Sequence, residues 1–397
     1  MTTSEPASTP APAPQRSKGF VIGRVAGAPV IVTRSWFLAA LVLTIVFAPA
    51  IQARAPGLGA GVYLAAFVFV LLLFGSVFLH EAAHALVARA RGQNVTELAV
   101  TLWGGHTAYT GGLGRPLDGF LVAVVGPVTN LVLAAGFGFA YQFASQAAPV
   151  QNLPTVLLGL AAVSNAFVGA FNLLPGLPLD GGQILESLVW AVTGRRATGT
   201  VVAGWVGRVV AVGVLVWALA VPLMLGARPS FTNVLWSALI GAFLWAGAGA
   251  AISNGRRREA VAALAAGRLA HPALSVAYGS TVDEALSARA AAVAAGVVDA
   301  AGYRLVVVGQ GDEPIAVLDD DAVAAVPAAA RQTTPVDAVA LPFVEGSAVH
   351  PALSGTDLLN HLATRSVGAR LVPVVEGGRV TGVLDLADVA RAVRGTA

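Results

Sequence analysis

The stretch VFLHEAAHALVARARG, residues 77–92, ends an apolar run long enough to cross a bilayer, yet it holds two histidines and a glutamate. On a helix, residues four apart share a face. His80 and His84 therefore point the same way and can bind one metal ion, with Glu81 beside that face as a general base. At ~1.5 Å per residue, His84 lies about 8 Å from Arg89 and His80 about 13 Å, which places both below the membrane surface. The plain alternative is a pair of solvated histidines on a helix surface. Ionisable groups at the centre of a span cost roughly 2.5–3.5 kcal/mol each, so an unpaired pair is disfavoured and a metal is expected. Zn2+ suits the arrangement because it brings the pKa of its water to about 7.

The rest of the composition agrees with a membrane protein. Of 397 residues, 56% are hydrophobic and only 11% are charged, with a mean hydropathy of +0.75. Soluble domains average about 25% charged residues. Lipid-facing surface excludes charge, so the bilayer is the expected partner. The chain has no cysteine, which rules out disulfides, thiolate ligands and cysteine nucleophiles. Its net charge of +3 is small, with arginines at segment ends, so no nucleic-acid partner is expected. Residues 1–19 are rich in Pro, Ser, Thr and Ala and lack the apolar run of a secretory signal. They read as a disordered tail.

Six apolar segments follow, at roughly 35–52, 62–88, 119–143, 154–174, 203–226 and 231–253, each near the ~20 residues a span needs. Ahead of them, 20–32 reads as a short hairpin turning at Gly27. Basic residues alternate between loops. Arg16, Lys18, Arg24 and Arg34, then Arg89, Arg91 and Arg115, then Arg195 and Arg196, then Arg256, Arg257 and Arg258 lie on one side, against Arg54 and Arg228 on the other. By the positive-inside rule, both termini are expected in the cytoplasm of a multi-pass plasma-membrane protein.

After NGRRR, residues 255–270 read as a linker helix and the composition becomes that of a soluble α/β part. Segments 303–326 and 369–393 repeat one another as strand, Gly-containing turn, strand and short helix. STVDEAL (280–286) and SGTDLLN (354–360) each predict a helix start with a Ser or Thr cap. Two modules are therefore expected, at 271–330 and 331–397, behind a membrane domain over 20–254.

A catalytic zinc usually has three protein ligands and an open position. In FNLLPGLPLDGG (171–182), prolines and glycine break a span beside Asp180. Irregular backbone at membrane depth is tolerated only inside protein or beside a water-filled cavity. Asp180 is thus either a third ligand or an ordinary helix cap.

HEAAH in one span and NLLPGLPLDGG in a later one resemble the site-2 protease family of intramembrane zinc metalloproteases, and GPVTN (126–130) resembles that family's G-x-x-x-N pattern. Six spans followed by a repeated module resemble the subgroup with two C-terminal CBS domains. The resemblance implies a polytopic α-helical membrane domain with a membrane-associated hairpin, followed by a tandem α/β CBS module. It implies zinc bound by His80, His84 and Asp180, with Glu81 as base, and a substrate that is another protein's transmembrane segment. It assigns Asn130 and Asn172 to steadying substrate or oxyanion, with interhelical hydrogen bonding as the alternative.

VTELAVTLWGGHTAYTGG (95–112) reads as two strands around Gly104 and Gly105, with an edge that can hold an unwound substrate by β-augmentation. His106 lies in that hairpin, as a zinc-approaching or pH-sensing group or else a solvated turn residue. CBS pairs often bind adenine nucleotides, which would put Asp388 on a ribose. Asp385, however, stands where a hydroxyl is usual and would repel phosphate, so a structural or homodimerising module is the competing expectation. A CBS-regulated transporter using the same four residues as an ion site is the second functional reading.

Overall fold

The apolar runs bounded by arginine become long helices in a computed structural model of the chain, which describes residues 17–101, 104–111, 113–147, 152–296 and 303–394. It divides into two compact units, Met1–Gly255 and Arg256–Ala397.

The first unit comprises β1 (Gly19–Val25), β2 (Ala28–Thr33), α1 (Arg34–Gln52), α2 (Gly61–Ala90), β3 (Asn94–Thr101), β4 (Gly104–Thr110), α3 (Pro116–Ala147), α4 (Leu153–Asn172), α5 (Asp180–Thr193), α6 (Arg196–Met224) and most of α7 (Phe231–Ala263). Six of these, α1, α2, α3, α4, α6 and α7, are long and apolar enough to cross a membrane. Leu41, Phe139, Val209 and Trp217 are exposed along them, as lipid-facing residues should be. Of the tail expected over 1–19, residues 1–16 lie outside the described residues. Ser17 is already hydrogen-bonded to Glu97, and Gly19 opens β1.

The two expected hairpins join into one sheet of order β1-β2-β3-β4. β1 pairs with β2 antiparallel through a turn at Ala26 and Gly27, both with positive φ. β2 pairs with β3 in parallel and β3 with β4 antiparallel. β4 is thus an edge strand.

The second unit holds α8 (Ala266–Leu269), β5 (His271–Ala277), α9 (Val282–Ala294), β6 (Arg304–Val308), β7 (Pro314–Leu318), α10 (Asp320–Ala325), β8 (Ala340–Pro342), α11 (Gly355–Arg365), β9 (Leu371–Glu376), β10 (Arg379–Asp385) and α12 (Leu386–Arg394). Its sheet runs β8-β7-β6-β5-β10-β9. The sequence repeat is visible as β6-β7-α10 and β9-β10-α12, each over its own core. Val282, Leu305 and Leu318 centre the first core, and Leu358, Val372 and Leu384 the second.

Two expectations are corrected here. The linker helix read over 255–270 is not a separate element. α7 runs on to Ala263 and only the four-residue α8 follows, because the Arg- and Ala-rich stretch after Gly255 contains no helix breaker. Thr281 forms a capping box with Glu284 as expected, but the Ser354 side chain makes no cap bond.

Candidate metal centre and active site

α2 delivers both histidines of HEAAH to one buried face. The loop between α4 and α5 delivers Asp180, the first residue of α5. That loop is held from behind, with Leu177 N–H bonded to Ala203 O at 3.1 Å, so its irregular backbone is satisfied by protein. His80 Nε2 lies 3.1 Å from Asp180 Oδ2, His84 Nε2 lies 3.4 Å from Asp180 Oδ1, and the two Nε2 atoms are 3.0 Å apart. All three residues are buried. They border a cavity of about 400 Å³ that is also lined by Glu81, Gly105 and Asn172.

The ring nitrogens decide what fits there. His84 Nδ1 sits 2.6 Å from Val122 O, and His80 Nδ1 sits 2.5 Å from Asn130 Oδ1. Both partners are oxygen acceptors, so both Nδ1 atoms carry the proton and both Nε2 atoms offer lone pairs. Two lone pairs and a carboxylate then converge, with Gln183 Nε2 only a distant donor, 3.5 Å from Asp180 Oδ1. A cation satisfies that set. A tetrahedral ion with arms of ~2.0–2.1 Å holds its ligands ~3.3 Å apart, against the 3.0–3.4 Å observed. The residues fit zinc. Gly126 belongs to the same construction, since a Cβ there would fall 2.3 Å from His84 Nε2 and 2.6 Å from His80 Nε2. Only a residue without a side chain leaves the metal position open.

Glu81 is oriented by the edge strand. Thr107 Oγ1 donates to Glu81 Oε2 at 2.8 Å, and a Cβ on Gly105 would meet Glu81 Cγ at 2.4 Å. β4 thus presses backbone against the carboxylate's stem while a hydroxyl fixes one of its oxygens.

Residues 140–216 match the profile of peptidase family M50. Rip3 of Mycobacterium tuberculosis, a candidate zinc metalloprotease, is 30% identical over 392 residues, spanning 94% of this chain and 92% of Rip3. The chain belongs to peptidase family M50. A candidate zinc metalloprotease of Synechocystis sp., sll0528, is 35% identical over 246 residues, 62% of each chain. The match thus leaves more than a third of that cyanobacterial protein unspanned. Among solved structures, the site-2 protease of Methanocaldococcus jannaschii aligns over 59% of this chain and 94% of its own, at 20% identity and a TM-score of 0.39. As an M50 member the chain is a zinc metallopeptidase, with Zn2+ as its cofactor.

The other expected site residues fall into two groups. Asn172 and Gly104 line the M50 cavity. Among the described residues, the Asn172 amide makes no hydrogen bond, so it is free toward the cavity. Asn130 is not free. It is 1% exposed, its Oδ1 accepts a hydrogen bond from His80 Nδ1–H, and its Nδ2 donates to Asn165 Oδ1 at 2.9 Å. Its polar ends are thus engaged by α2 and α4, as in the interhelical hydrogen bonding expected as the alternative.

His106 lines the cavity mouth, half exposed, with Nε2 3.6 Å from Glu97 Oε1 rather than turned to the metal ligands. Burial pushes the Glu97 carboxyl up, but the Ser17 N–H and hydroxyl, with His106, outweigh it and leave Glu97 below its ordinary value. Asn165 and Thr107 were missed in the sequence. Only Asn165 left a signal, an amide seven residues before Asn172 on the same face of an apolar helix. In the second unit, Asp388 is bonded to His271 at 2.9 Å and paired with Arg391. Its carboxylate is already compensated.

Proposed function

We propose that this chain is an intramembrane endopeptidase that hydrolyses peptide bonds in or near transmembrane segments of other membrane proteins. The observation carrying the reading is the convergence of His80, His84 and Asp180 on one point within a span-length helix, beside an edge strand. These three residues would hold zinc, which when bound polarises the scissile carbonyl and acidifies water. Glu81 takes a proton from the water as its oxygen attacks the carbonyl carbon. It returns that proton to the amide nitrogen as the C–N bond breaks, leaving a carboxyl group on one fragment and an amine on the other. Thr107 keeps the Glu81 carboxylate aimed during both transfers.

A helical substrate hides its peptide bonds, so it must unwind before attack. The outer edge of β4 offers unpaired N–H and C=O groups to an extended segment. Asn172 then donates to the substrate carbonyl or its developing oxyanion. The arginine asymmetry supports cytoplasmic termini and a cytoplasmic CBS pair, so that the site opens to water on that face. Such an enzyme suits regulated intramembrane proteolysis of membrane-bound anti-sigma or signalling proteins. For the CBS pair, the compensated Asp388 favours a regulatory or dimerising role without adenine nucleotide.

The test is co-expression with a panel of single-span membrane proteins, with and without a membrane-permeant zinc chelator, and fragments identified by mass. Chelator-sensitive cleavage inside a span is expected. A wild-type chain that cuts none of the panel while altering metal flux would favour the transporter.

A further inference from the structure

His84 and His80 are fixed in the same tautomer by different means. His84 Nδ1 meets the backbone carbonyl of Val122 directly. A carbonyl can only accept, so the proton lies on Nδ1 and the lone pair on Nε2. His80 Nδ1 meets a side-chain amide, Asn130. An amide can present either its oxygen or its nitrogen, and the two faces demand opposite tautomers of the ring. Presented oxygen-first, Asn130 leaves the His80 Nε2 lone pair free for metal. Presented nitrogen-first, it moves the proton to Nε2 and aims an N–H at the metal position.

The choice is made farther away. Asn130 Nδ2 donates to Asn165 Oδ1 at 2.9 Å. Asn165 Nδ2 donates to Ala161 O at 2.9 Å and to Ser76 Oγ at 3.0 Å. The Ser76 hydroxyl is itself committed as a donor to Leu72 O at 3.0 Å, so toward Asn165 it accepts. Ala161 O is main chain and cannot turn over. It fixes the Asn165 amide, which fixes Asn130, which fixes His80. A flipped Asn130 would set its oxygen against Asn165 Oδ1, acceptor to acceptor, in a site where Asn130 and Asn165 are each 1% exposed and no bulk water repairs the mismatch.

We infer that Asn165 is a positioning residue for the metal centre, setting the His80 tautomer through Asn130 without touching ligand or substrate. The inference rests on the reading of His80 as an Nε2 metal ligand. Partners of this kind typically alter metal affinity by about 10–100-fold, and Asn165 acts one link farther out, so about tenfold is expected.

The experiment uses full-length protein in detergent or bilayer with 15N-labelled histidine. The wild type without zinc, at a pH where the His80 ring is neutral, should carry its one ring proton on Nδ1 rather than Nε2. In Asn165→Leu, His80 should become a mixture of tautomers, and zinc affinity by chelator competition should fall about tenfold. Asn130→Asp supplies an acceptor in either orientation. The Asn130→Asp/Asn165→Leu double variant has no acceptor left opposite that carboxylate and should therefore recover the Nδ1–H tautomer and most of the zinc affinity lost in Asn165→Leu. A purely structural role for Asn165 would leave the double variant as weak as Asn165→Leu, and that result would overturn the inference. So would an unchanged His80 spectrum and affinity in Asn165→Leu. Should Asn165→Leu not fold, the comparison of Asn165→Ser with its Asn130→Asp double variant is decided by the same two readings. A wild type that binds no zinc would instead refute the metal-site reading itself.

Discussion

His80 and His271 each lie against an aspartate at nearly the same distance, 3.1 Å to Asp180 and 2.9 Å to Asp388, yet the two contacts have different chemistry. Asp180 is buried with a second histidine at 3.4 Å and, among the described residues, no lysine or arginine paired with it. The other nitrogen of each ring is committed as a donor, so lone pairs are in surplus and a metal completes the set. Asp388 has Arg391 on its other oxygen. The chain supplies that cation itself, and nothing is missing. A His–Asp contact therefore points to a metal where the protons are accounted for elsewhere and the positive charge is not.

The largest expected effect breaks the comparison at its strongest point. Asp180→Ala and His84→Ala should each take purified protein from about one zinc per chain to nearly none by elemental analysis, while His271→Ala keeps its zinc. Loss of zinc in His271→Ala, or full zinc in Asp180→Ala, would reverse the assignment.

A smaller effect separates metal from base. A methyl group on Gly105 meets the Glu81 side chain rather than the ligands. Gly105→Ala should slow cleavage by about 10²-fold, the scale of an ångström-sized misplacement, with zinc content unchanged.

How far the sequence went is clearest around this site. HEAAH was legible because two histidines and a glutamate on one helix need no tertiary information to share a face. The Pro/Gly break beside Asp180 was legible, but the residues alone left Asp180 between third ligand and helix cap, and only the family resemblance chose the ligand. Asn165 was not legible, because a lone amide in a span reads equally as packing, and its meaning lies in hydrogen bonds to α2 and α3. For Asn130 the sequence left substrate support and interhelical hydrogen bonding both open, and its bonds to His80 and Asn165 are of the second kind. The joining of the two hairpins depends on parallel pairing of β2 with β3 across α1 and α2, which no local pattern announces. Thr107 left no sign in the sequence, since a threonine in a strand is ordinary.

The smallest effect belongs to the second unit. His271, and Arg391 beside it, hold the Asp388 carboxyl below the ordinary aspartate range against a smaller opposing effect of burial. A carboxylate depressed in the folded state adds stability that is complete above its unfolded pKa and disappears as pH falls through its folded value. Amide exchange of His271–Ala277 in the full chain, corrected for intrinsic rates, should therefore quicken in acid below the aspartate range. Asp388→Asn should remove part of that pH dependence, and identical profiles for both proteins would discard the link.

The central claim is that Glu81 is the base beside a zinc held by His80, His84 and Asp180. Its most direct test compares Glu81→Gln with wild type at matched levels on one single-span substrate, reading fragment yield and zinc content in the same samples. General acid–base catalysis contributes about 10²–10⁴-fold. Cleavage should fall on that scale while zinc stays at about one per chain. Equal cleavage by the two proteins would contradict the account.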